Sequence, residues 1–335
     1  MKPKVLVTRR IPETGIRILK EHCEIRYRDA LEPMGREELL KEIRDVDALY
    51  CTLSEKVDRG VIDAGKNLRV VATMSVGVDH IDVDYATSRG IFVVYTPGVL
   101  TETTADFAWA LLMAAARRVV EGDRLIRAGG WRFSWAPTMM LGYDVHGKVL
   151  GIIGFGRIGQ AVARRAKGFD MKVLYYDIER REDLEKKLGV EYRPMDEILR
   201  EADFITLHIP LTPQTERLIG ERELRMMKKT AILINTSRGK VIDQEALIRA
   251  LKMGWIAAAG LDVFDEEPLP TDSPLINLEN VVLTPHIASA SYETRSKMAE
   301  YAASGLISIL KGEVPDNLYN REVLKIRPLS DVKMI

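Results

Sequence analysis

Arg238, Glu267 and His286 each follow a short apolar, β-branched run: "AILINTS" precedes the arginine, "GLDVF" the glutamate and "NVVLTP" the histidine. Taken singly, they read as an arginine in a turn, an acidic loop residue and a histidine capping a strand. As a set they suit one reaction, the addition of a hydride and a proton to the ketone of a 2-oxo acid. Negative charge builds on the ketone oxygen, and histidine, whose free pKa lies near neutrality, is the natural proton donor. A carboxylate bonded to the other ring nitrogen orients the imidazole and favours its charged form, a role open to Glu267. A guanidinium fork grips carboxylate or carbonyl oxygens in two places, which fits Arg238.

The hydride needs a carrier, and a second motif points to one. "KVLGIIGFGRIGQAVARRA" sets Gly154, Gly156 and Gly159 in GxGxxG spacing between an apolar strand and a helix with apolar Ile158, Val162 and Ala166. The first glycine permits a tight turn, the second a close approach of a pyrophosphate, and the third close packing of helix on strand. Free N–H groups and the dipole at the helix N-terminus favour the anion, and Arg157 adds charge. The next strand, "KVLYYD", ends at Asp177, placed to accept from the ribose hydroxyls of NAD and to repel the extra phosphate of NADP. Arg180 and Arg181 follow, and either would pair with a 2′-phosphate if the loop swung round. NAD(H) is therefore the preferred cofactor and NADP(H) a possible one.

Residues at strand ends need sheets to hold them, and the chain alternates short apolar runs with helical patterns throughout, the mark of parallel sheets built from βαβ units. A first set comprises "KVLVT", "CEIRYR", "DALYCT", "LRVVATM" and "IFVVYT", closing at Pro97-Gly98. A second comprises "KVLGIIG", "KVLYYD", "DFITLHIP", "TAILINTS", "IAAAGLDVF" and "NVVLTPH", six strands that make a doubly wound dinucleotide fold. Between them a helix is expected over roughly 101–128, opened by Thr101 as a cap and followed by the tryptophan-rich "AGGWRFSWAPTMMLGYD". A final helical pattern near 290–311 belongs to neither set by pattern alone. The fold class is α/β, with two doubly wound parallel-sheet domains.

Bulk properties agree and exclude other classes. A chain of 335 residues exceeds what one core serves. Lysine plus arginine equals aspartate plus glutamate at 49 each, so no overall field draws the protein to nucleic acid or an anionic membrane. Cys23 and Cys51 show no metal-like spacing and read as core thiols in a reducing compartment, with no metal site expected. No long apolar segment opens the chain, and "FAWALLMAAA" is too short to span a bilayer, so the expected location is cytoplasmic.

Seven segments in register resemble the D-isomer-specific 2-hydroxyacid dehydrogenases over nearly the full length: "SVGVDHID", "TETTADFAWALLMAAARR", "GIIGFGRIGQAVARR", "HIPLTPQT", "INTSRGKVIDQEAL", "AAGLDVFDEEPLP" and "LTPHIASAS". Within that family the chain is most similar to glyoxylate/hydroxypyruvate reductases, the archaeal ones in particular. The resemblance implies that Arg238, Glu267 and His286 are the catalytic trio. It implies that the backbone of Ser75, Val76 and Gly77 cradles the substrate carboxylate, with Leu53 near the substrate. Thr104, Ile158, His208, Thr215, Thr236, Ser237, Asp262 and Ala288 would join the glycine loop in touching the cofactor, Asp262 near the carboxamide. His208 alternatively serves as a strand-end core histidine.

The resemblance further implies a Rossmann NAD(P)-binding domain, 99–289, inserted into a flavodoxin-like substrate domain, 1–98 with 290–335, and a cleft that closes by hinge motion. The helix and arm at 101–143 would form a homodimer interface. Trp109, Trp131 and Trp135 would leave an apolar patch on a monomer, in keeping with that, and Trp135 would either reach the neighbouring subunit's pocket or simply anchor the interface. The segment "YYDIERRED" departs from the NADP-preferring members, so their cofactor choice does not carry over. Small 2-oxo acids are the expected partners. D-3-phosphoglycerate dehydrogenase, another D-2-hydroxyacid dehydrogenase and a non-enzymatic NAD-sensing module remain alternatives.

Overall fold

Apolar runs without polar alternation belong in sheets covered on both faces. In a computed structural model, which describes residues 2–335, each run of the first set joins one parallel sheet. Its strands are β1 (Lys4–Val7), β2 (Glu24–Tyr27), β3 (Ala48–Cys51), β4 (Val70–Thr73) and β5 (Phe92–Val94), in the flavodoxin order β2-β1-β3-β4-β5. β3 and β4 are buried throughout, whereas the edge strand β2 alternates between exposed and half-buried residues. The sheet belongs to a unit that runs to Leu100 and resumes at Ala290.

The returning segment is bound in by specific contacts. Helix Tyr292–Lys311 packs on helix Glu13–His22, where Gly15 leaves room for Ala299: an added Cβ would stand 3.0 Å from that side chain. Tyr50 donates from its hydroxyl to the Ala299 carbonyl at 3.1 Å. Beyond the helix, buried Asn320 accepts from the Val93 N–H at 2.8 Å and donates to the Ile91 carbonyl at 2.9 Å and to Thr87 Oγ1 at 2.8 Å.

Residues 101–289 form the second unit. Its strands are β6 (Val149–Ile153), β7 (Lys172–Tyr176), β8 (Glu191–Tyr192), β9 (Phe204–Leu207), β10 (Ile232–Asn235), β11 (Ala258–Leu261) and β12 (Val281–Leu283). All pair in parallel in the order β12-β11-β10-β9-β6-β7-β8. Six strands were expected and seven form; β8 pairs only two residues with β7, too few to show a periodicity. Alternate residues serve opposite faces: Ile232 and Ile234 join the core with helices Thr101–Ala116 and Arg157–Ala166, and Leu233 joins the one with helices Met195–Glu201 and Gln244–Met253.

Two expectations about the linking segment are corrected. The helix expected over 101–128 is two helices, Thr101–Ala116 and Val119–Arg127, and Thr101 is the first helical residue rather than a preceding cap. Arg118 turns into the left-handed region at φ 54, held by its fork on Glu121, while the Ala116 carbonyl accepts the Tyr143 N–H of the returning arm at 2.9 Å. Trp109 is not part of a surface patch. It is buried, stacks on Phe169 at 4.8 Å and donates from Nε1 to the Val162 carbonyl. Trp131, Phe133, Trp135, Leu141 and Tyr143 are exposed, as are Val119 and Ile126. Both cysteines are free and buried, and among the described residues no helix is long and apolar enough to cross a membrane.

Asn320→Ala strands the buried Val93 N–H and Ile91 carbonyl. Urea unfolding followed by circular dichroism should show a loss of roughly 2–4 kcal/mol.

Candidate active site

β10, β11 and β12 are neighbours, and each delivers one of the three polar residues from its C-terminal end. Asp262, directly after β11, is fully buried. Its Oδ1 accepts from Thr284 Oγ1 at 2.7 Å and from the Ile287 N–H at 2.8 Å, and its Oδ2 from the Ala288 N–H at 2.7 Å. Burial raises its carboxyl above the usual range against the pull of these donors. Its main-chain carbonyl accepts the His286 N–H at 2.9 Å. The turn after β12 is therefore tied to β11, and His286 is held at φ 55, a conformation that non-glycine residues seldom adopt.

From that turn the imidazole meets Glu267, Nδ1 to Oε2 at 2.7 Å. Glu267 Oε1 accepts from the Phe264 N–H at 3.1 Å. Burial pushes the Glu267 carboxyl up, but the hydrogen bond and charge of His286, the Phe264 N–H and the charge of Arg238 outweigh it and hold it below its ordinary value. An ionised carboxylate can only accept. Nδ1 therefore carries the hydrogen, leaving Nε2 to give or take a proton.

Arg238 leaves β10 through a turn pinned by Asn235, which donates to the Arg238 carbonyl at 2.8 Å and accepts from the Ser237 N–H and hydroxyl. Arg238 donates from Nη1 to the Ser237 carbonyl at 2.8 Å, and its charge acts on Glu267. The next residue brings the two loops together: a Cβ on Gly239 would overlap the Phe264 carbonyl group.

The glycine loop lies where the strand order reverses, between β6 and β9, the place where open α/β sheets bind ligands. Gly154 takes φ 94, and an added Cβ would stand 2.5 Å from the His208 carbonyl oxygen. A Cβ on Gly159 would strike the Gly154 carbonyl, so the helix starts against the turn. Gly156 caps helix Arg157–Ala166 without a side chain and faces open space. Arg157 is exposed and Ile158 half-buried in its first turn. Asp177 Oδ2 accepts the Phe155 N–H at 2.6 Å, joining the end of β7 to the loop.

The remaining cofactor candidates divide by what already occupies them. Thr236 fits a ligand best: its Oγ1 is buried and has no partner among the described residues. With the open face at Gly156, this is the structural sign that the loop and the β10 edge fit a dinucleotide. Thr104 is buried in the first turn of helix Thr101–Ala116. His208 Nε2 meets Thr206 Oγ1 at 2.9 Å, and burial pushes its imidazole down to about 3, so the ring is neutral near pH 7. Thr215 donates to the Pro210 carbonyl and accepts from the Thr212 N–H, shaping its own loop. Ser237 and Ala288 are engaged through Asn235 and Asp262 as described. Arg180 is forked on Glu185 at 2.7 and 2.9 Å, and Arg181 on Asp183.

In the first unit, Ser75, Val76 and Gly77 follow β4, and Leu53 follows β3, both at C-terminal strand ends. Ser75 is buried; Leu53, Val76 and Gly77 are half-buried. Trp135 is 78% exposed on the arm.

Residues 109–288 match the NAD-binding domain of the D-isomer-specific 2-hydroxyacid dehydrogenases. A glyoxylate reductase of Korarchaeum cryptofilum is 60% identical over 98% of this chain and 99% of its own. The chain belongs to the D-isomer-specific 2-hydroxyacid dehydrogenase family. Among solved structures, the TT0316 protein of Thermus thermophilus superimposes with a TM-score of 0.88 at 46% identity, covering 94% of this chain and 99% of that one. An NADPH-dependent glyoxylate/hydroxypyruvate reductase of Sinorhizobium meliloti, in complex with NADP and malonate, gives 0.83 at 32% identity over 96% and 98%.

In this dehydrogenase, residues with no chemistry of their own hold the trio in place. Asn235 and Gly239 sit inside the quoted "INTSRGKVIDQEAL", but only the contact of the two loops shows why an amide and a missing side chain are needed there. A cavity of about 370 Å³ lies elsewhere, at the N-terminal ends of β11 and β12 among Ala116, Leu141, Gly142 and Tyr143. It has no part in the chemistry at the opposite edge.

Gly239→Ala must part the Arg238 turn from the Phe264–Glu267 loop. Steady-state kinetics should show kcat/KM at least about tenfold lower, with NADH affinity close to wild type by fluorescence titration.

Proposed function

We propose that this enzyme reduces glyoxylate, and hydroxypyruvate with it, to the 2-hydroxy acid using NADH. The observation that carries the proposal is the 2.7 Å contact of His286 Nδ1 with an ionised Glu267, which leaves Nε2 as a proton donor at the same C-terminal edge of the sheet as the glycine loop. The name of the Korarchaeum relative supports the substrate assignment. A bound nicotinamide supplies the hydride. The hydride would go to the carbonyl carbon, and His286 would give its Nε2 proton to the carbonyl oxygen, turning the C=O of the 2-oxo acid into a carbon that bears a hydroxyl. Glu267 orients the ring and steadies its charge; Arg238 holds the 2-oxo acid by its oxygens, and the main chain of Ser75, Val76 and Gly77 receives the carboxylate.

The preference for NADH rests on Asp177 and on the commitment of Arg180. One Asp177 oxygen is occupied by the loop, and the other is left for a ribose hydroxyl. Glu185, which also accepts from Tyr175 at 3.0 Å, holds both arms of the Arg180 fork, so that guanidinium is not offered to a 2′-phosphate. The exposed aromatic arm supports a homodimer, with Trp135 as an interface anchor. Two free buried thiols support a cytoplasmic location.

Initial rates on glyoxylate, hydroxypyruvate, pyruvate and phosphohydroxypyruvate with each reduced cofactor test the assignment. Glyoxylate with NADH should be among the best pairs; tight NADH binding without turnover on any of the four would point to a sensor instead. His286→Ala should lower kcat by about 10²-fold or more while NADH still binds. In Glu267→Gln the carboxylate that orients the ring is gone, so kcat/KM should fall at least about tenfold while NADH affinity stays near wild type; an unchanged kcat/KM would exclude Glu267 as the residue that orients the proton donor.

Asp177→Ala removes the carboxylate that would repel a 2′-phosphate. The ratio of kcat/KM for NADPH to that for NADH should rise at least about tenfold.

A further inference from the structure

Beneath the Ser75–Gly77 segment lies a chain of side-chain hydrogen bonds that the proposed mechanism does not use. Ser75 Oγ donates to the Gly77 carbonyl at 2.7 Å, Thr73 Oγ1 lies 2.8 Å from Ser75 Oγ, and His80 Nε2 lies 3.0 Å from Thr73 Oγ1. Thr73 and Ser75 are both buried. Each hydroxyl has one hydrogen, which sets the direction of the chain. Ser75 spends its hydrogen on Gly77 and so accepts from Thr73; Thr73 then accepts from His80, which must carry its hydrogen on Nε2. The base is anchored by the His80 carbonyl, which accepts the Val57 N–H at 2.8 Å, and the Ser75 carbonyl accepts the Thr96 N–H at 2.8 Å.

We infer that His80 and Thr73 are positioning residues that act through the Ser75 hydroxyl to set the orientation of the main chain at 75–78, and thereby the enzyme's affinity for the substrate carboxylate. This rests on the assignment of that segment as the carboxylate cradle. The peptide joining Gly77 to Val78 is planar and trans, so its carbonyl and its N–H point in opposite directions. Drawing the Gly77 carbonyl onto Ser75 Oγ aims the Val78 N–H the other way and keeps a carbonyl dipole from facing an anion. Without the chain this peptide is free to rotate, and a carbonyl turned toward the substrate would repel its carboxylate. The effect falls on substrate binding, because none of the three side chains belongs to the trio or the nucleotide loop.

The test is a set of variants, Ser75→Ala, Thr73→Val, His80→Phe and His80→Gln, with Thr73→Val also combined with Ser75→Ala. For each, KM and kcat for glyoxylate, NADH affinity and thermal unfolding are measured on the full chain. Ser75→Ala should raise KM about tenfold, the worth of one hydrogen bond, with kcat and NADH affinity near wild type. Thr73→Val and His80→Phe should raise it less, and His80→Gln, which keeps an N–H donor, should recover part of the loss. In the Ser75→Ala background Thr73→Val should add nothing, because the chain is already cut. An unchanged KM in Ser75→Ala, additive effects in the double variant, or a parallel fall of kcat, NADH affinity and thermal stability would each overturn the inference. A wild-type chain that turns over no 2-oxo acid would instead remove the reductase assignment and the cradle with it.

Discussion

The active-site edge depends on one buried carboxylate. Asp262 has no exposed surface, and a charge taken out of water is tolerated only where hydrogen bonds replace its hydration. Thr284, Ile287 and Ala288 supply those bonds, and all three belong to the turn that carries His286. The cost of burying Asp262 and the strain of a left-handed His286 are met by one set of contacts. Each of the two anomalies thus accounts for the other: the turn takes its shape because the carboxylate must be satisfied, and the carboxylate is satisfied because the turn closes over it.

Charge then orders the rest of the edge. Loss of hydration alone would favour the neutral form of Glu267; the hydrogen bond and charge of His286, a main-chain N–H and the charge of Arg238 keep it ionised. His208 shows what burial does to an imidazole without a carboxylate partner: its ring is neutral. Two histidines after strands of one sheet thus sit in different environments, one beside an ionised acceptor and one as a neutral partner of Thr206. A chain with no net charge can still concentrate a cation and an anion where a reaction needs them.

Close approach of backbone to backbone recurs wherever parts of the site meet. Gly154 against His208, Gly159 against Gly154 and Gly239 against Phe264 each put main chain where a side chain would collide. The first two place the nucleotide loop at the switch point, and the third sets the Arg238 turn against the loop that carries Glu267. Positions without a Cβ therefore link cofactor loop and catalytic loops to one rigid sheet, and precision of this kind governs how well reacting groups are held.

Much of this was readable in the residues themselves. The five strands of the first sheet and six of the second, the glycine loop, Asp177 and the three polar strand ends all announce themselves by apolar runs and fixed spacings, because strand burial and phosphate binding act over a few consecutive residues. What stayed hidden depends on residues distant in the chain. The break at Arg118 follows from Tyr143 taking the Ala116 carbonyl, the burial of Trp109 from Phe169 and Val162, and β8 from pairing with β7 alone. The roles of Asn235, Gly239, Asp262 and the Ser75–Thr73–His80 chain emerge only when loops from different strands are brought together. Local sequence determined which chemistry this protein carries; tertiary contact decided the geometry, since hydrogen-bond partners and steric limits between distant segments exist only once the chain has folded.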